Sequence, residues 1–303
     1  MTSIVFPGQG SQKVGMAKDF HDNFSVSKLI FEEIEDYTKI NLRNIIFNNE
    51  DNKLDLTQYT QISIFAASYV IFKTLVHENQ IDNNDINIMM GHSLGEYTAL
   101  SCSDKVTLKD CSLILKKRGE LMNSAVAPNE TGMAAIIGKN SSEVQEIIDT
   151  NNLEIEIAND NSSIQVVISG KTNVLNKSKE LFLSSDIKKF VMLNVSAAFH
   201  SKFMNSAQDQ LAQDIDKLTF FDNKIKIITN YDANIHKDVD SIKMNLKNQM
   251  ANKVNWTQSI KKLEQIGENK IIEIGPSKVL SGLIKRISDN FDIISFNQVS
   301  DLK

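Results

Sequence analysis

A short strand-like run, Ile86-Asn87-Ile88-Met89-Met90, stops at Gly91-His92-Ser93-Leu94-Gly95, and helix-forming residues begin at Glu96. No other stretch constrains the fold as tightly. Glycines at the first and fifth positions of the turn permit a strained backbone that lifts the serine hydroxyl clear of a sheet at a helix N-terminus. The strand before it and the helix after it are the context such a nucleophile requires.

Alternation of the same kind runs through most of the chain. Ile4-Val5-Phe6 ends at Pro7-Gly8-Gln9-Gly10 and a polar helix-like segment follows, so strand, tight loop and helix are expected there too. Residues 56–76 are apolar nearly all round and predict a buried helix. Helices near 201–218, 239–250, 256–266 and 278–287 alternate with strands at 225–229, 271–274 and 293–296, which argues for a mostly parallel sheet covered by helices. The texture changes near Pro128. A strand at 132–138 is followed by a helix opening at Ser142 with Gln145 in capping-box position, strands at 153–158 and 164–169 joined by the turn-rich 159–163, a helix at 173–183 and a strand at 187–193. That order, βαββαβ, is ferredoxin-like and predicts an inserted subdomain at residues 130–193, with 1–129 and 194–303 forming the larger α/β unit.

Composition removes several classes. The 303 residues carry 33 Lys and Arg against 38 Asp and Glu, a net charge of −5, so a nucleic-acid partner is not expected. The two cysteines, Cys102 and Cys111, form neither a CxxC redox pair nor a thiolate zinc set. No HExxH or paired-histidine pattern occurs, and residues 8–12 lack the lysine of a phosphate-binding loop, so neither metal nor cofactor is expected. Residues 62–72, the longest nearly apolar stretch, fall far short of the roughly 20 that span a bilayer. The N-terminus has no basic region before its apolar run, so no signal or transit peptide is read and a cytoplasmic location is expected.

A serine hydroxyl needs a base. Of the five histidines, His21, His77 and His236 lie in polar, surface-like surroundings, and His92, as the neighbour of Ser93 on a turn, diverges from it. His200, in the small-residue loop Val195-Ser196-Ala197-Ala198-Phe199-His200-Ser201 after a strand and before a helix, is the best base by elimination. A third triad member is less obvious. Asp160 and Asp186 lie between Ser93 and His200 but inside the inserted segment, so a dyad oriented by a carbonyl or amide is an equal alternative; Asn248-Gln249 could supply it or be exposed helix-end amides. The N–H of Leu94 offers one oxyanion donor, and Gln9 could frame the other. Arg118 reads either as a solvated helix-end charge or as a bidentate partner for a substrate carboxylate.

An ordered series of stretches resembles the malonyl-CoA:acyl-carrier-protein transacylase family over essentially the whole chain. It comprises Phe6-Pro7-Gly8-Gln9-Gly10-Ser11-Gln12, Gly91 to Tyr97, Arg118-Gly119 with Leu121-Met122, Gly132 to Gly138, Ala158-Asn159, Gln165 to Gly170, Ala198-Phe199-His200-Ser201, Val254-Asn255-Trp256 and Glu273-Ile274-Gly275-Pro276. The resemblance implies an α/β-hydrolase-like domain with a ferredoxin-like insertion, and ping-pong transfer of malonyl from malonyl-CoA through a malonyl-serine to the phosphopantetheine thiol of holo-acyl carrier protein, for fatty-acid elongation. It implies Ser93 as nucleophile and His200 as base and then acid. Gln9 and the Leu94 N–H would form the oxyanion hole, Arg118 would hold the malonyl carboxylate, and the Gln249 carbonyl would orient His200. Phe199 resembles the malonyl-selective form of its motif, which disfavours an α-methyl branch. The resemblance also implies a monomer, and the lack of a membrane-spanning apolar stretch leads to no expected membrane partner. Lys253 departs from the pattern, which commonly has proline there. A discrete polyketide-type acyltransferase, a thioesterase on the same elbow and a noncatalytic carrier-binding module are the rival readings.

Overall fold

The computed structural model describes residues 2–302. The first half of the chain forms β1 (Thr2–Phe6), α1 (Lys18–Asn23), α2 (Ser25–Thr38), α3 (Leu42–Phe47), α4 (Thr57–His77), β2 (Ile86–Gly91), α5 (Leu94–Cys102) and α6 (Leu108–Ser124). Next come β3 (Thr131–Ile137), α7 (Ser141–Thr150), β4 (Ile155–Ser162), β5 (Gln165–Lys171), α8 (Thr172–Ser184) and β6 (Lys189–Met192). The remainder forms α9 (Asn205–Lys217), β7 (Lys226–Ile228), β8 (Ile235–His236), α10 (Val239–Lys247), α11 (Trp256–Gln265), β9 (Lys270–Ile274), α12 (Val279–Ile284) and β10 (Asp292–Phe296).

These elements make an α/β molecule with two sheets. The larger has the order β10-β9-β1-β2-β7-β8 and is parallel except for the short edge pair β7 and β8. Its inner strands β1 and β2 are buried over nearly their whole length, which is why they read as continuous apolar runs. Helix α4 is long and apolar enough by composition to cross a bilayer, yet 83% of its most apolar window is buried inside the protein, and it serves as a core helix beside α2, α5 and α6. Its apolar girth thus reflects burial on all sides.

The smaller sheet is antiparallel with the order β4-β5-β3-β6, so its first strand lies between the third and fourth, as in ferredoxin-like folds. Helices α7 and α8 close on it around Val144, Ile148, Leu175 and Phe182.

Three local expectations need correction. The turn expected at 159–163 is confined to Ser163-Ile164: β4 runs on through Ser162, with register shifts between Ile157 and Asn159 and between Asp160 and Ser162. The polar side chains at its end serve contacts to the larger unit. Asp160 accepts from the Thr257 hydroxyl, Asn161 accepts from His92, the Asp160 N–H donates to the Val254 carbonyl and the Val254 N–H donates to the Ala158 carbonyl. The α7 capping box is made by Asn140 and Glu143, two residues earlier than Ser142 and Gln145, because Asn140 is the residue whose side chain reaches the first free amides. The segment after His200 opens with a 3-10 turn at Lys202–Met204 before α9 begins.

Candidate active site

The elbow is built by close contact. A Cβ on Gly91 would stand 2.1 Å from Gly95 carbonyl atoms, and one on Gly95 would stand 2.2 Å from the Phe6 carbonyl oxygen. Only glycine allows β1, β2 and α5 to meet so tightly. Between them Ser93 adopts φ 53 and ψ −111, a conformation that costs roughly 1–3 kcal/mol and persists only where the surroundings over-determine it. Those surroundings are polar and specific. The Ser93 N–H donates to Asn230 Oδ1 at 2.6 Å, Asn230 Nδ2 donates to the Gly91 carbonyl at 2.7 Å, and Gln249 Nε2 donates to the Ser93 carbonyl at 2.9 Å.

His200 approaches from the loop after β6, also at positive φ, and its Nε2 lies 2.8 Å from Ser93 Oγ. The proton inventory fixes the roles. His200 Nδ1 faces two carbonyl oxygens, of Gln249 and Asn252, each at 3.1 Å. Carbonyls only accept, so Nδ1 carries the proton and Nε2 of the neutral ring presents a lone pair to the serine. Arg118 Nη2 donates to the same Ser93 Oγ at 3.0 Å, and a guanidinium only donates, so the serine O–H is left to point at His200. Burial drives the His200 pKa down to about 3, assisted by the Arg118 and His92 charges and opposed by the two carbonyls. The imidazole is therefore neutral at pH 7. No carboxylate touches His200; Asp160 is engaged with Thr257, and amide carbonyls occupy the place of a triad acid.

Arg118 is the clearest departure from the bland reading. It is not a solvated charge: only 1% of it is exposed. From α6 it reaches inward, with Nη1 on Gln61 Oε1 of α4, Nη2 on Gln249 Oε1 at 3.0 Å, and its guanidinium carbon 5.4 Å from the centre of the Tyr97 ring. Among the described residues no carboxylate forms a salt bridge with it, and its Nε has no hydrogen-bond partner. A buried guanidinium with donors held on amides rather than on an acid keeps its charge available to an incoming anion.

A cleft of about 300 Å³ opens above these groups, lined by Gln9, Ser93, Leu94, Arg118, Phe199 and His200 among others. Gln249 does not line it and lies behind, bridging Arg118, Ser93 and His200. The structure thus brings all seven sequence-selected residues to one centre. The backbone N–H groups of Gln9 and Leu94 donate to no other described residue, while the Gln9 side chain donates to Thr57 Oγ1 at 3.3 Å. Lys253 does not disturb the arrangement, because Val254 is tied to Ala158 and Asp160 on β4. His92 turns away from the serine: its Nε2 bonds Asn161 Oδ1 at 2.9 Å and its ring lies 5.6 Å from Trp256. Of the remaining histidines only His77 is exposed; His21 packs on Phe31 and Phe47, and His236 pairs with Asp232.

Sequence reasoning missed Asn230, Asn252, Gln61 and the buried carboxylate of Glu96. Two of these left a trace. Asn230 follows the end of β7 at the same sheet edge as Ser93, and Glu96 is the lone acid in the otherwise apolar and small-residue α5. Among the described residues no group of three or more His, Cys, Asp or Glu side chains is placed to hold a metal ion.

Comparison with known proteins agrees over the full length. The acyl transferase domain family matches residues 4–299. The malonyl CoA-acyl carrier protein transacylase of Bacillus subtilis is 33% identical over 97% of this chain and 92% of its own. Among solved structures, an acyl carrier protein S-malonyltransferase from Vibrio cholerae superposes with a TM-score of 0.92 at 33% identity, covering 99% of this chain and 98% of that one. A malonyl-transacylase solved in complex with its type II polyketide-synthase acyl-carrier protein gives a TM-score of 0.94 at 30% identity over 99% of this chain and 97% of that one.

Proposed function

The chain belongs to the malonyl-CoA:acyl-carrier-protein transacylase family, and from that membership and the geometry of its cleft we propose that it moves malonyl from malonyl-CoA to acyl carrier protein by way of a malonyl-Ser93 ester. The enzyme is an acyl-carrier-protein S-malonyltransferase, and its product is the malonyl carrier thioester used for fatty-acid elongation. What carries the serine mechanism is the convergence of His200 Nε2 at 2.8 Å and Arg118 Nη2 at 3.0 Å on Ser93 Oγ.

In the first half-reaction His200 Nε2 takes the Ser93 proton as Oγ attacks the thioester carbonyl. The oxyanion is received by the free N–H groups of Gln9 and Leu94, the latter at the N-terminus of α5. The carbon–sulfur bond then breaks, His200 returns the proton to the departing CoA sulfur, and the malonyl group remains as an ester on Ser93. In the second half-reaction the phosphopantetheine thiol gives its proton to His200 and attacks that ester. The carbon–oxygen bond breaks and Ser93 recovers its proton. Arg118 holds the distal carboxylate of malonyl throughout, and the Gln249 carbonyl keeps the His200 ring in its working tautomer. Phe199, 4% exposed on the cleft wall, limits room beside the α-carbon.

We assign the catalytic unit to residues 1–129 and 194–303 and a separate ferredoxin-like subdomain to 130–193, which supplies part of the cleft wall. In support, Met133, Asn159 and Leu193 line the cleft beside Ser93.

Intact-protein mass after brief incubation with malonyl-CoA tests the mechanism, with Ser93→Ala in parallel and holo-acyl carrier protein added afterwards. A malonyl adduct that requires Ser93 and transfers to the carrier is expected. An adduct lost to water equally fast without carrier would establish a hydrolase, and no adduct would point to a noncatalytic carrier-binding protein.

A further inference from the structure

Behind the nucleophile, on the side away from the cleft, lies a carboxylate that the transfer chemistry does not use. Glu96 stands in the first turn of α5 with none of its surface exposed. Its Oε2 accepts two hydrogen bonds, from the Asn230 backbone N–H at 2.9 Å and from Gln249 Nε2 at 2.8 Å. Its Oε1 has no partner. Taking a carboxylate out of water this completely is costly, and an apolar side chain of similar size would cost the fold less.

Each donor to Oε2 belongs to a residue bonded directly to the site. Asn230 carries the Ser93 N–H on its Oδ1 and the Gly91 carbonyl on its Nδ2, so it braces both sides of the strained turn. Gln249 donates to the Ser93 carbonyl, accepts from Arg118, and offers its main-chain carbonyl to His200 Nδ1. A single oxygen atom therefore joins α5, the loop after β7 and the turn after α10; the β2–β7 ladder leads into the first two, and the third is tied to them here by side chains. The Gln249 amide is also fixed against rotation: the Arg118 donor demands its oxygen on one side, and the Glu96 acceptor demands its nitrogen on the other.

We propose that Glu96 is a positioning residue for acyl transfer, fixing the Ser93 backbone through Asn230 and the His200 ring through Gln249. It touches no reacting atom. The inference rests on the serine mechanism above. Because both bonds end on one oxygen, the role requires an acceptor there and not a negative charge. A glutamine can supply that acceptor, and a leucine cannot.

The test compares the full-length wild type with Glu96→Gln, Glu96→Leu and Asn230→Ala in three measurements. The first is the rate of Ser93 phosphonylation by a fluorophosphonate, which uses the serine and its base but carries no carboxylate for Arg118. The second is kcat and KM for malonyl-CoA, and the third is the cooperativity of thermal unfolding. A misplacement of reacting groups on the order of 1 Å costs about 10²-fold, so Glu96→Leu should lose about that in phosphonylation and in kcat, with KM changed by less than about threefold. Asn230→Ala should lose about 10-fold or more in phosphonylation, and Glu96→Gln should stay within about threefold of wild type while unfolding as cooperatively. Wild-type phosphonylation in a folded Glu96→Leu variant would overturn the proposal, as would a Glu96→Gln variant as slow as Glu96→Leu. If Glu96→Leu does not fold, undiminished phosphonylation of Asn230→Ala overturns it in its place. A wild-type protein that forms no adduct at Ser93 would instead overturn the serine mechanism, so the two failures are distinct.

Discussion

Arg118 Nη2 donates a hydrogen bond of 3.0 Å to Ser93 Oγ at the floor of the cleft. The cation that would read the far end of the substrate thus touches the atom that would attack the near end. Since the guanidinium donates, it also directs the serine proton to His200. A malonyl carboxylate entering the cleft would compete with Ser93 Oγ for Nη2, and a monocarboxylic acyl thioester would not.

Arg118→Ala should therefore discriminate between acyl groups. Loss of a desolvated charge partner costs about 2–5 kcal/mol, so kcat/KM for malonyl-CoA should fall at least about 30-fold, with acetyl-CoA affected far less. Parallel kinetics with the two thioesters decide the matter. Equal losses would remove Arg118 from its assigned role.

His200→Ala should lower kcat/KM by about 10²–10⁴-fold, the usual worth of a general base, at unchanged unfolding cooperativity. In the wild type the ring is neutral down to a pKa of about 3, because burial and then Arg118 oppose its protonation. The pH profile of kcat/KM reports the free enzyme and should show no loss of base near pH 6.5. A limb at that pH would mean that His200 is solvated in solution.

Phe199 should decide the α-substituent. Shortening it by Phe199→Ala opens the wall beside Ser93, and one added methyl group is worth roughly 1–3 kcal/mol in a fitted pocket. The ratio of methylmalonyl-CoA to malonyl-CoA turnover should rise by about 10-fold or more. An unchanged ratio in competition assays would place the selective contact elsewhere in the cleft.

Glu96 predicts a pH dependence of stability with a definite sign. Burial raises its carboxyl to about 7 against a usual 4.5, with the Gln249 and Asn230 bonds and Arg118 opposing the rise. Between those values the folded protein binds the proton and the unfolded chain does not. The contribution of Glu96 is thus fully present below about pH 4.5 and is lost as pH rises toward 7, by up to about 1.4 kcal/mol per pH unit. Glu96→Gln should gain on the wild type across that window in denaturant titrations at pH 4.5 and 7. A stability difference that stays constant with pH would mean that the carboxyl does not titrate in this range.

Much of this centre could be read directly from the chain. The strand-glycine-serine-glycine-helix junction is a local object: its geometry follows from which residues tolerate a turn at positive φ with backbone pressed on backbone, so Ser93 and the fold class were legible together. His200 was reachable by elimination because histidines are few and only one lies in a short small-residue loop after a strand. The buried helix α4 and the βαββαβ order of the smaller sheet were equally visible in apolar spacing. Residues 159–162 misled for the same reason that the rest succeeded. Asparagine, aspartate and serine are turn formers in isolation, and only the neighbouring unit, with His92, Thr257 and Val254 waiting to bond them, makes them strand.

What the sequence determined by itself is most of the strand and helix order and the turn that presents the candidate nucleophile Ser93, because helix period, strand alternation and turn chemistry act over a few residues. The state of Arg118, the tautomer of His200 and the place of Glu96 were decided only in three dimensions. Gln61 on α4, Asn230 in the loop after β7, and Gln249 and Asn252 in the turn after α10 meet at the edge of the parallel sheet. Charge and proton position in a buried site depend on which donors and acceptors surround each group and on how much water is excluded. Both are properties of packing between segments far apart in the chain, and no local pattern of residues encodes them.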